Sequence, residues 1–163
     1  MHSAIFTVVD ITDGDLTEEE IEDLGCPYEG YELAERMGNV ADYVQDNERS
    51  WEPKDLTDSL KGYPFIKVPE DGVFEIAPND GFISQEIRNR IGRIQKMLDK
   101  QEHDDALTHF RACKIMNDEG GFYIVSVDKD GCAHDFQTKD GFILGGLTAG
   151  KKYRVVDIND YHM

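Results

Sequence analysis

The chain has 163 residues, 39% hydrophobic and 10% aromatic, with Tyr, Phe, Ile and Val spread throughout, which suits one well-buried core or two small lobes sharing an interface and excludes a disordered acidic tail. Its formal charge of −17 is carried almost wholly by residues 1–80, with 21 acidic and 5 basic residues; residues 81–163 hold 13 and 12. A field so placed repels nucleic acid and anionic membranes and attracts basic surfaces, so no direct nucleic-acid or membrane partner is expected.

No apolar run approaches the roughly 20 residues that span a bilayer, and Met1-His2-Ser3-Ala4 lacks the basic and apolar regions of a signal peptide. The expected compartment is the cytoplasm. Cys26, Cys113 and Cys132 are odd in number and widely spaced, with no CxxC. They are read as thiols in a reducing compartment, with no metal and no cofactor implied.

Ala4 to Ile11 is β-branched and nearly continuous in its apolar character, which predicts a strand buried on both faces. A short helix over 18–24 follows. Thr17 and Glu20 have capping-box spacing, Leu16 and Ile21 suit a hydrophobic staple, and Glu18, Glu19 and Glu20 sit where the helix dipole favours them. Leu33, Met37, Val40 and Val44 recur at helical spacing and predict a second helix from Glu32 to Gln45, weakened at Gly38.

A short helix is expected over Asp55–Lys61. A hairpin follows, from Tyr63–Val68 and Val73–Ile76 around Pro69-Glu-Asp-Gly72. The longest helix should cover Ser84–Lys100, with Ile87, Ile91, Ile94 and Leu98 forming an apolar stripe for a core or a homodimer. Its Arg88, Arg90, Arg93, Lys96 and Lys100 make it the basic element. Ala106–Cys113 extends the helical part.

Phe122–Val127, Cys132–Phe136, Phe142–Leu144 and Tyr153–Ile158 read as short strands between glycine-rich turns, a small antiparallel meander or barrel. The fold class is therefore α+β. An acidic, helix-rich region spans 1–101 and a small β-rich region spans 102–163, unless the two share one core. The words Val8-Val-Asp-Ile and Val155-Val-Asp-Ile echo each other, too briefly for a duplication.

No nucleophile elbow, P-loop or dinucleotide fingerprint is present. Asp128-x-Asp130-Gly131 carries part of a calcium loop, but between strands it reads as a hairpin turn. His103-Asp104 and His134-Asp135 lack the spaced histidine partners of a metal site. Asp10, Asp13 and Asp15 follow an apolar strand in an order similar to that of haloacid-dehalogenase phosphatases. The first two lie at i and i+3 where that pattern has i and i+2. A small metal-dependent hydrolase on these three is the enzymatic alternative.

The dominant feature is charge. Asp10 to Glu35 holds eleven acidic and no basic residues. They fall on helices and come without the Lys and Arg that normally balance a surface. This pattern points to a non-catalytic binding protein whose acidic face meets a basic surface on another protein. The residues are Asp13, Asp15, Glu18, Glu19, Glu22, Asp23, Glu29, Glu32 and Glu35. Its most specific form is a nucleic-acid mimic that inhibits a DNA- or RNA-handling enzyme, as antirestriction and anti-CRISPR proteins of mobile elements do. The competing use of the charge is internal, with the basic helix neutralising the acidic ones.

Overall fold

The computed structural model describes residues 2–78, 82–100, 105–117, 121–145 and 149–162. Asn79-Asp80-Gly81, whose residue types suit a turn or a cap, and the His103-Asp104 step lie outside them. The chain divides into two compact units, residues 1–78 with 121–163, and residues 79–120.

In chain order the elements are β1 (His2–Asp10), α1 (Glu18–Glu22), α2 (Gly30–Met37), a single 3-10 turn (Gly38–Val40), β2 (Tyr43–Asp46), α3 (Pro53–Leu60), β3 (Ile66–Glu70) and β4 (Val73–Ile76). The smaller unit supplies α4 (Phe82–Asp99) and α5 (Asp105–Asn117). The larger unit resumes with β5 (Tyr123–Val127), β6 (Ala133–Thr138), α6 (Lys139–Leu144) and β7 (Lys152–His162). No helix among the described residues is long and apolar enough to cross a membrane.

Seven strands form one mixed sheet in the order β3-β4-β7-β1-β5-β6, with β2 also paired to β7. Only β1 and β5 run parallel. The long β7 has β1 on one edge. On the other it holds β4 against Lys152–Arg154 and β2 against Asn159–His162. The α+β class holds, but the sheet is not closed and the expected C-terminal barrel or meander does not form. The physical reason lies in β1. The most apolar strand takes a central place between β5 and β7, and so separates the strands that would have made the meander. Strands from both 1–101 and 102–163 share this sheet.

Three local expectations are corrected. The helix predicted over Glu32–Gln45 stops at Met37, because Gly38 takes a left-handed φ of 59°. Tyr43–Asp46, its expected end, is β2 instead. Phe142–Leu144 is not a strand. It belongs to α6, which Thr138 caps by accepting a hydrogen bond from the Gly141 amide at 3.1 Å.

β1 is buried on both faces along Ser3–Val9. Ile5 and Val9 join Leu33, Met37, Val125, Val127 and Tyr161 in one cluster, so α2 covers that face. Alternation sends Phe6 and Val8 to the opposite face. There Phe6 meets Phe122 at 5.1 Å, and Tyr153 lies between Phe74 and Phe142 at 5.5 and 5.1 Å.

The β1–β7 register slips by one residue between Thr7 and Val8, where Thr7 pairs with Asp157 and Val8 with Val155. The extra residue re-aims β7. Beyond it Arg154 pairs with Val9 and therefore faces the α2 side, as Asp157 does opposite Thr7. The two echoing words are thus neighbours in the sheet, on antiparallel strands.

Candidate functional site

The acidic segment after β1 is short in secondary structure and needs anchors. A five-residue helix has no stability of its own. In α1 the Thr17 hydroxyl accepts from the Glu20 amide at 3.3 Å, and Glu20 Oε2 accepts from the Thr17 amide at 2.8 Å, which is the predicted capping box. The hydrogen bond from the Thr17 backbone, then that from its side chain, hold the Glu20 carboxyl below its ordinary value. Ile21 is buried beneath the helix.

β7 supplies two further anchors. Arg154 Nη1 donates to both Glu18 oxygens, at 2.9 and 2.8 Å. Asp157 Oδ2 accepts from the Cys26 amide at 2.9 Å, so the loop after α1 is tied to the sheet. Burial pushes the Cys26 thiol up from its ordinary value.

α2 is held by Leu33 and Met37 and opens with the Glu29 amide donating to Glu32 Oε2 at 3.0 Å. Gly30 lies so close to β2 that an added Cβ would stand 2.5 Å from the Val44 carbonyl oxygen. Arg36, the sole basic residue between Asp10 and Glu48, places its guanidinium 3.9 Å from the Tyr28 ring centroid. No ion pair joins it to an acidic neighbour among the described residues.

Eight of the nine predicted face residues are exposed: Asp13, Asp15, Glu18, Glu19, Glu22, Asp23, Glu29 and Glu35; Glu32 is half-buried. Three have structural work, Glu18 with Arg154 and Glu29 with Glu32 at the start of α2. The carboxylates of Asp13, Asp15, Glu19, Glu22, Asp23 and Glu35 make no ion pair or hydrogen bond among the described residues. On α1 the like charges stand at helical neighbour spacing, Glu18 with Glu22 and Glu19 with Asp23, which costs the helix stability.

The enzymatic alternative fares differently. Asp10 is engaged by Lys151 at 2.8 Å, by the Thr12 amide at 3.0 Å and by the Thr12 hydroxyl. Burial pushes its carboxyl up, and these bonds outweigh that, leaving it below its ordinary value. Among the described residues no three His, Cys, Asp or Glu side chains are placed to share a metal ion, so Asp10, Asp13 and Asp15 are not assembled into a centre.

In the smaller unit the predicted stripe is exposed. Ile87, Ile91 and Leu98 are 43, 54 and 47% accessible, and Ile94 is half-buried. Arg90 is buried instead, bonded to Glu86 Oε1 at 2.9 Å and to the Met116 carbonyl of α5 at 2.8 Å.

Sequence reasoning missed the β7 anchors, whose partners lie more than 130 residues away. It also missed a polar cluster near the His2 end of β1. Fully buried Asp160 accepts from Trp51 Nε1 at 3.3 Å, with His2 Nδ1 3.8 Å away. Arg49 Nη2 lies 2.6 Å from His2 Nε2. Read singly, His2 and His162 carry no such signal. No protein-family model, curated protein or solved structure matches this chain.

Proposed function

We propose that this chain is a non-catalytic binding protein whose α1–α2 face docks onto a basic surface of another protein. The observation that carries the reading is the set of six carboxylates without an ion pair or hydrogen bond, on a backbone tied down by caps, Arg154 and Asp157. A solvated surface normally intersperses both signs of charge. Here the one intervening cation stacks on Tyr28. Negative groups held at fixed positions match a groove evolved for phosphates, which lie about 1.7 Å apart along a duplex axis. The favoured partner class is therefore a nucleic-acid-binding enzyme, and the favoured effect is inhibition by occupying its groove. Association would be fast and weakened by salt.

The test is capture of nucleic-acid-binding proteins from a bacterial lysate on the immobilised chain, with elution by duplex DNA. The comparison is a Glu19→Lys, Glu22→Lys, Asp23→Lys, Glu35→Lys variant. None of these four carboxylates supports the fold, and reversal moves the formal charge from −17 to −9, two units per substitution. The variant should keep its circular dichroism and lose every protein that DNA elutes. Equal capture by folded variant and wild type would refute the reading.

A further inference from the structure

Among the side chains described in the smaller unit, Arg90 is the one that is buried. Several large apolar groups of the pair lie outward. Ile87, Ile91 and Leu98 of α4, with Phe110 and Met116 of α5, are among the most exposed large apolar side chains in the molecule. Those of α4 share one helix face, an exposed apolar stripe of the kind that marks an interaction surface.

We propose that α4 and α5 form the interface of a homodimer, two copies packing as an antiparallel four-helix bundle around the Ile87–Leu98 stripe. The spacing of Ile87, Ile91, Ile94 and Leu98, four then three then four, is that of a coiled-coil seam. Run antiparallel about its centre, the seam sets Ile87 against Leu98 and Ile91 against Ile94 of the second copy. It is self-complementary, as a two-fold contact must be.

Charge selects this direction over a parallel one. Arg88 lies at one end of the seam and Asp99 at the other. Antiparallel packing brings each Arg88 to the end of the second helix that carries Asp99. It also opposes the helix dipoles favourably. Parallel packing would instead set the Arg88 ends of the two helices together, with no Asp99 near either. The occupant is thus a second copy of this chain, and the dimer is independent of the acidic-face reading, since no α1 or α2 residue enters it.

The test is sedimentation equilibrium on the full chain from low to high micromolar concentration, with two variants. The wild type should reach twice the 18.5 kDa of one chain. Ile91→Glu should be monomeric while the Trp51 fluorescence of the larger unit is retained. Arg88→Asp should weaken the dimer at least tenfold, and adding Asp99→Arg should restore it. The restored mass keeps the test decisive if Ile91→Glu loses its helices. A wild type monomeric throughout would overturn the proposal and leave the stripe to a different protein. A dimer indifferent to Ile91→Glu, or a charge swap that fails to restore it, would overturn it equally.

Discussion

Leu33→Ala separates the shape of the acidic face from its charge. Leu33 is wholly buried in the cluster with Met37, Ile5, Val9, Val125, Val127 and Tyr161. α2 has eight residues, too few to persist without tertiary contacts. Removing a fully buried Leu side chain costs about 3 kcal/mol, from lost transfer energy plus the cavity left behind. At roughly 3–5 °C per kcal/mol for a unit of this size, the midpoint should fall by about 10 °C. The control is Tyr31→Ala on the same helix, where the side chain is 63% exposed and the change should stay within about 0.5 kcal/mol. Urea denaturation gives the energies. Amide exchange should show Gly30–Met37 losing more protection than β1. The formal charge remains −17 in both variants, so a fall in salt-sensitive binding for Leu33→Ala alone would show that the carboxylates act as an ordered array. A loss below about 1 kcal/mol would refute the account of how α2 is held. Full binding by a destabilised Leu33→Ala would refute the need for order.

Two further outcomes follow from individual residues. Burial first and the Arg49 charge second hold the His2 imidazole below its ordinary 6.5, against the opposing pull of Asp160. The unfolded chain then binds the proton more readily, so stability should fall as pH drops through 6.5. His2→Gln should flatten that slope in urea midpoints, and an unchanged slope would reject the assignment. Two helical glycines should respond with opposite sign. Gly92→Ala meets nothing within 4 Å and should stabilise α4 by about 0.5–1 kcal/mol in thermal melts. Gly30→Ala drives a methyl group to 2.5 Å from the Val44 carbonyl and should destabilise by about 1–3 kcal/mol; two shifts of like sign would refute the contact.

What was legible in the sequence was what is local. The continuous β-branched run of β1, the Thr17–Glu20 box and the long stripe of α4 each carry their signal within a few residues. The end of α2 was not legible, because Val40 and Val44 continue a helical period that Gly38 interrupts. Val44 turns out to serve β2. Phe142-Ile-Leu144 is short and apolar enough to suit either element, and the Thr138 cap decides for helix. The excess of carboxylates was plain, but which of them are free was not. That depends on Arg154, 136 residues from Glu18. Nor does periodicity tell whether an apolar stripe faces inward. In α4 the buried position went to Arg90.

The pairing of β1 with β7 also has a consequence in time. Its contacts span 143 residues at Asp10 with Tyr153 and 160 at His2 with His162. The other neighbour, β5, begins at Tyr123. Contacts so distant close slowly, because the intervening chain must surrender its freedom first. At ribosomal speeds of about 5–20 residues per second, β1 waits on the order of ten seconds for its first partner, with both edges bare. The segment emerging directly behind it is the carboxylate-rich one, eleven acids and no cation up to Glu35. Mutual repulsion between nascent chains at that point opposes the edge-to-edge association that a waiting apolar strand invites. The charge proposed to meet a basic groove would thus have a second use, keeping the central strands of neighbouring chains apart before the sheet exists.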